Sequence, residues 1–350
     1  MEGNGEAGTV FATEAVEGRF EVVHSPWKGI EGAVGVQLSH REFAAIGEEA
    51  FVQPVDTETL GVFYVGQGAV GETHLEAGFR YEHVEHDPTD GRSRQYDLAA
   101  GSFGVTRSFA DYWTVRGLVD YSNRAPVAEE LYSDGPHLAT QSFEIGDDSL
   151  NRERAANVSV SIGYERERFR WSLAAYQTQF DDFIYEQATG DTLDELPVLL
   201  WQQQDADFAG AEFEVAWDAL DWHSGQLTFS ASAESVRARF KDGENRRLPR
   251  IPPQRWRLGA LLNWDNWLAE VSWRDVDSQT DVAPGELVTE GFEDLRVHLA
   301  YEIKRQQSTF EIFLTGRNLT DDEQRYHSSF IKDFAPQPGR TIEAGVVFRL

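Results

Sequence analysis

The 350-residue chain has no cysteine, which excludes a disulfide framework, a thiolate metal site and a cysteine nucleophile. Methionine is nearly absent as well: Met 1 stands against Gly 30, Trp 10, Tyr 11 and Phe 22, a mix that favours sheet over helix. No apolar run reaches the roughly 18 residues of a membrane-spanning helix. A mean hydropathy of −0.47 would by itself suggest a soluble chain, but a transmembrane barrel escapes that test because only alternate residues face lipid. Cations are scarce, with Lys+Arg 31 against Asp+Glu 60 and a formal net charge of −29. That balance argues against nucleic acid and against an anionic membrane surface as partners. The opening residues MEGNGEAGTV have neither the basic region nor the apolar core of an export signal. No GxSxG, HExxH or Walker motif occurs, so nothing points to an enzyme.

What is present is alternation. Trp113, Val115, Gly117, Val119 and Tyr121 share one face of an extended segment, opposite Thr114, Arg116, Asp120 and Ser122. Ala156, Val158, Val160, Ile162 and Tyr164 do the same opposite Asn157, Ser159, Ser161 and Glu165. Period two with one wholly apolar face marks a strand with one side in an apolar medium. Between these two strands lies a loop of about thirty residues, far above the usual hairpin length, and such a loop is expected to be functional.

The same reading along the chain gives fifteen strands, from about Gly8–Val23 to Arg340–Leu350. Their connections alternate short and long. Turns fall near Ser25–Pro26, Gly68–Gly71 and Asp265–Asn266, whereas polar loops are expected at His83–Ser93, Gln187–Pro197 and Lys241–Pro253. Short turns at one end and long loops at the other are the transmembrane-barrel pattern. Ionised residues on the second face of each strand suit a wet or plugged lumen better than a packed core. Tryptophans closing the apolar faces, as at Trp256, Trp264, Trp267 and Trp273, match interfacial girdles. The expected fold is therefore all-β, an antiparallel transmembrane β-barrel. An odd strand count cannot place both ends on the periplasmic side, so residues 1–350 are expected to be the C-terminal portion of a larger barrel, with Met1 on the extracellular side.

Several segments resemble the C-terminal barrel of TonB-dependent outer-membrane receptors: SNRAPVAEELYSDGPHLATQSFEIGDDSLNRERAANVSVSIGY, YQTQFDDFIYEQ, QQQDADFAGAEFEV, LPRIPPQRW, GRNLTDD and YHSSFIKDFAPQPGRTIEAGVVFRL. YSDGPHLATQSFEIGD, DADFAGAE and HSSF are most similar to the zinc-uptake receptors. The resemblance implies about 15 strands of a 22-stranded receptor barrel in the cell outer membrane, with the signal, plug domain and first strands absent. It implies TonB-dependent uptake of a scarce metal without chemistry on the ligand, through partners that would be the TonB complex acting on the missing plug, outer-membrane lipid and a metal or metal-chelate ligand. No catalytic cofactor is implied; zinc enters as transported ligand. The terminal Leu350 departs from the usual terminal Phe. The alternatives are a siderophore or haem receptor, and a receptor remnant that transports nothing.

The metal-ligating candidates follow from imidazole and carboxylate spacing. His83, Glu85, His86 and Asp87 crowd the YEHVEHDPTDG segment, and a solvated acidic loop would look the same. His137, in GPHLAT at the apex of the longest loop, is the ligand that the resemblance to zinc receptors implies, with Glu129, Glu130, Asp134 and Glu144 nearby in sequence. His327 is expected to pack within the last long loop and His298 to line the lumen. A haem site would instead ask for an axial His or Tyr on an exposed loop, for which Tyr132 is the nearest residue.

Overall fold

The computed structural model describes residues 9–47, 50–305 and 308–349. Gly8, where the first strand is expected to begin, lies outside the described residues, as do Met1 and Leu350. In chain order the elements are β1 (Val10–Trp27), β2 (Ile30–Ile46), β3 (Val55–Val70), β4 (Thr73–Pro88), β5 (Arg94–Phe109) and β6 (Trp113–Arg124). A short helix α1 (Ala128–Tyr132) and a small hairpin of β7 (Asp134–His137) and β8 (Ser142–Ile145) follow. The meander resumes with β9 (Glu153–Arg166), β10 (Phe169–Leu193), β11 (Leu196–Trp222) and β12 (Gly225–Phe240), and ends with β13 (Arg255–Trp264), β14 (Trp267–Val276), β15 (Phe292–Arg305), β16 (Ser308–Arg317) and β17 (Thr341–Arg349). Among the described residues the sheet has 17 strands. Setting the β7–β8 hairpin aside, 17 − 2 leaves the fifteen strands that the alternation predicts, each antiparallel to the next, with β6 pairing directly to β9.

Side-chain alternation sorts the two faces. On β4 the outward residues run Leu75, Ala77, Phe79 and Tyr81 and then turn polar at His83, Glu85 and Asp87, while Arg80, Glu82, Val84 and His86 face inward. The outward Val158, Val160, Trp256, Leu258, Val346 and Phe348 are exposed, as a face bathed in hydrocarbon must be. Aromatic rings close the short-turn end: Trp113 meets Tyr164 at 4.9 Å and Trp171 at 5.6 Å, and Trp267 meets Tyr301 at 4.7 Å between centroids. Inward ionised groups are paired along the wall, as in Arg274 with Asp294 at 2.9 Å.

Buried apolar side chains gather instead at the long-loop end. One cluster joins Phe51, Val52, Val55, Val84, Tyr96, Leu131, Tyr132 and Ile184; a second joins Tyr185, Ala206, Ala238, Phe240 and Leu248. The long loops thus pack on the inner rim as a small core above the apolar band. Three expectations change here. The segment Gln187–Pro197 is not a polar loop: β10 and β11 keep pairing up to Leu193 opposite Leu196, because the sheet continues above the membrane band and needs only Asp194 and Glu195 to turn. Likewise the loop expected at His83–Ser93 begins after Pro88, since His83 to Pro88 still pair with β3. The first turn also moves, from Ser25–Pro26 to Lys28–Gly29, with a register shift between His24 and Trp27 absorbing the proline.

Candidate functional site at the loop end

The longest connection folds through local hydrogen bonds. At the start of α1 the Glu130 carboxylate accepts the Val127 N–H at 2.9 Å and pairs with Arg124 at 2.7 Å, so a carboxylate satisfies an orphan amide of the first turn. Tyr132 Oη donates to the Arg92 carbonyl at 2.9 Å, and burial pushes its pKa up to about 12. The β7–β8 hairpin then lies against the tall β10–β11 hairpin, with β8 running parallel to Val198–Leu200 of β11.

That hairpin holds His137. Its ring stacks on Phe51 with centroids 4.1 Å apart, and its Nδ1 lies 2.7 Å from Oε1 of the buried Glu144. The Thr140 and Ser142 hydroxyls converge on the same carboxylate oxygen at 2.9 and 3.3 Å. The other two histidine candidates separate. His83 points outward and pairs with Asp97 at 2.9 Å. His86 points inward on the opposite face of β4, where it is buried, with Nδ1 3.0 Å from Thr57 Oγ1. Burial lowers its pKa, partly offset by the Pro126 carbonyl, and Nε2 makes no hydrogen bond of good geometry. Two strand residues three apart cannot turn their side chains to one ion, because successive residues leave opposite faces and an odd spacing keeps them there. Among the described residues no group of three or more His, Asp or Glu is placed to hold a metal ion.

What the loops build instead is a cavity of about 400 Å3, within the range of small-molecule sites. Tyr185, Glu186, Arg250, Glu286, Phe330 and Lys332 are among its walls, drawn from β10 and from the loops before β13, β15 and β17. Its ionised groups meet two different environments. Glu286 accepts from the Ala283 and Arg250 N–H groups at 3.1 and 2.9 Å, from Lys332 Nζ at 3.0 Å, and faces His327 Nε2 at 3.1 Å. Burial alone would raise its pKa, but these hydrogen bonds overcome it and hold the carboxyl down at about 2. His327 is itself buried, with Nδ1 2.6 Å from Thr289 Oγ1. His298 lies on the lumen wall, 2.8 Å from Thr315 Oγ1.

Glu186 is more deeply buried than Glu286 and poorly supplied. Among the described residues its carboxylate has one hydrogen-bond partner, Arg250 Nη2 at 2.9 Å. Burial pushes its pKa up to about 7, Arg250 opposing and the neighbouring Glu144 adding to the rise. Arg250 stacks its guanidinium 3.9 Å over Phe330 and has a left-handed backbone with φ 60°, a conformation costly for a residue with a Cβ. Sequence reading missed this pair because its members are 64 residues apart and meet only through the fold. The one available signal was the segment LPRIPPQRW, where proline on both sides restricts the chain around Arg250 and Ile251.

Comparison with known proteins follows the same outline. Residues 5–319 match the family described as TonB dependent receptor-like, beta-barrel. Among solved structures, the copper transporter OprC superposes with a TM-score of 0.81 at 18% identity over 97% of this chain and 56% of that one. The FrpB iron transporter from Neisseria meningitidis gives 0.74 at 16% over 97% and 55%, and the ferric citrate transporter FecA gives 0.71 at 15% over 97% and 55%. The chain therefore spans a little over half the length of these structures.

Proposed function

This chain belongs to the TonB-dependent receptor-like β-barrel family, and from that premise we propose that it is the ligand-capturing part of an outer-membrane receptor for a scarce metal carried in a small chelate. The observation that carries the reading is the cavity of about 400 Å3 at the loop end, lined by strands and three long loops and holding Arg250, Glu186, Glu286 and Lys332. A cavity of that size suits a chelate, whereas a bare ion asks for three or four donors at coordination distance. The copper, iron and ferric citrate cargoes named for the similar structures support a metal in some form. Onward passage would need the TonB complex and a plug inside the barrel, and no residue of this chain makes or breaks a bond in the cargo.

Zinc is the second reading, favoured by the His137–Glu144 pair at 2.7 Å, an imidazole and a carboxylate that supply two of the four donors of a zinc site. His83 and His86, on opposite faces of β4, do not complete it together. Haem ligation at Tyr132 is disfavoured because its hydroxyl is already committed to the Arg92 carbonyl. TonB-dependent accumulation of radiolabelled zinc, ferric citrate and haem, measured in cells carrying the reading frame that contains this chain, separates the readings. Accumulation of none of them would leave the chain a transport-inactive remnant.

A further inference from the structure

We propose that Arg250 is the anion-receiving residue of the loop-end cavity and that Glu186 is its resident counter-ion, displaced when a carboxylate of the incoming ligand takes its place. The inference deepens the capture reading and rests on it. Three cations line or border the cavity, and two of them are committed. Lys332 is held by Glu286 and His327, and Arg247 by Asp281 at the rim. Arg250 alone is paired with a carboxylate that has no other hydrogen-bond partner among the described residues. Both residues line the cavity, but the Arg250 side chain is 25% exposed and that of Glu186 1%, so the guanidinium is the more open of the two to a ligand.

The arginine is fixed for the task. Its N–H is tied to Glu286 at 2.9 Å, its left-handed backbone is held by that bond, and Phe330 supports the guanidinium plane at 3.9 Å. A planar guanidinium with a free edge binds carboxylate in two parallel hydrogen bonds. Glu186 takes one such hydrogen bond, from Nη2 at 2.9 Å, where a ligand carboxylate would take two.

Exchange has a proton cost. Glu186 cannot remain charged without Arg250, since its side chain is buried and the groups facing it are Arg250 from the loop before β13, Glu144 from β8 and His137 from β7. It therefore takes one proton from solvent as the ligand arrives, and the cavity gains one negative charge and one positive charge together. Even in the resting state burial has moved Glu186 most of the way, to a pKa of about 7. Glu286, with four hydrogen bonds, does not follow. Two carboxyls in one cavity thus divide into a fixed anchor and a displaceable partner.

Titration calorimetry on the purified chain in detergent, with citrate as the probe and buffers of different ionisation enthalpy, reads this directly. The expected result is uptake of about one proton per citrate bound above about pH 7, shrinking to none well below it. Glu186→Gln should abolish the uptake and tighten binding roughly tenfold, because a neutral amide releases Arg250 without leaving a buried charge. Arg250→Gln should weaken binding at least about tenfold, with Arg250→Lys recovering part of the loss. Uptake that persists in Glu186→Gln, or citrate bound equally well by Arg250→Gln, overturns the exchange. So does a parent that binds no citrate at all. Metal accumulation by the full reading frame is scored separately, so failure here leaves the capture reading standing, and failure there removes both.

Discussion

Two glutamates in one cavity carry opposite electrostatic loads, and each makes a distinct prediction. Glu286 is ionised far more easily in the fold than in the unfolded chain, with a pKa of about 2 against a reference of 4.5. The unfolded state then binds the extra proton between those values, so the stabilisation is full above about pH 4.5 and is lost as pH falls towards 2. Its size is on the order of 3 kcal/mol. Thermal unfolding of Glu286→Gln should show lower stability than the parent at neutral pH and a flatter dependence across that acid window; equal acid sensitivity would show that Glu286 is not the hub. Glu186 runs the other way: its raised pKa means that ionising it costs stability as pH rises from 4.5 through about 7, so Glu186→Gln should be neutral or stabilising above that range. For His137, substitution by Ala removes an imidazole donor and a stacking partner of Phe51. Zinc affinity unchanged in His137→Ala would retire the zinc reading of this hairpin. These residues were only partly legible beforehand. His137 was visible through its motif, but Glu186, Arg250, Glu286 and Lys332 sit in four separate segments whose meeting depends on long-range pairing, and no local pattern records it.

At the level of elements the strands were readable because period two is enforced by the medium on each side. Where both sides become aqueous the signal fades, which is why the upper halves of β10 and β11 read as a loop although Ala188 still pairs with Leu199 and Leu193 with Leu196. The same fading put His83 and His86 in a loop. Inside the long connection, α1, β7 and β8 are too short for any periodicity to register. The tall hairpin has an identifiable weak point. Asp194 and Glu195 carry φ 50° and 65°, the two left-handed positions of a type I′ turn, which Asn-Gly fills with far less strain. The double change Asp194→Asn, Glu195→Gly should stabilise the hairpin by about 1 kcal/mol, taking the left-handed cost for a Cβ-bearing residue as roughly 1–2 kcal/mol. Slower hydrogen exchange at Leu193 and Leu196 is the readout; faster exchange would mean that the turn is not of this type.

For the whole molecule the ruling fact is that its apolar surface is on the outside and its small core is at one end. The high charge content and low hydropathy, read from composition alone, hide this, because the ionised residues are shared between the loops, the lumen wall and the rim above the apolar band. The outward rows give the arrangement a depth scale. On β9 Val160 lies between the aromatic Tyr164 near the short turn and the loop end, flanked by Val158 and Ile162, so it is far from either interface. Leu258 on β13 is outward as well but only one outward position from Trp256 near the upper end of its strand. A lysine at Val160 cannot lift its ammonium to water and should cost about 2–4 kcal/mol, whereas at Leu258 the side chain can rise past Trp256 to the headgroups and should cost about 0–1 kcal/mol. Ser159, next to Val160 but facing the lumen with Tyr176 opposite, is the control, and its change to Lys should be nearly silent. Unfolding of the three variants in lipid vesicles therefore tests the facing of two strands and their depth at once. A large loss for Ser159→Lys with none for Val160→Lys would show that inside and outside are exchanged; equal losses at Val160 and Leu258 would keep the faces and discard the depth scale, and with it the placement of the loop-end cavity above the membrane.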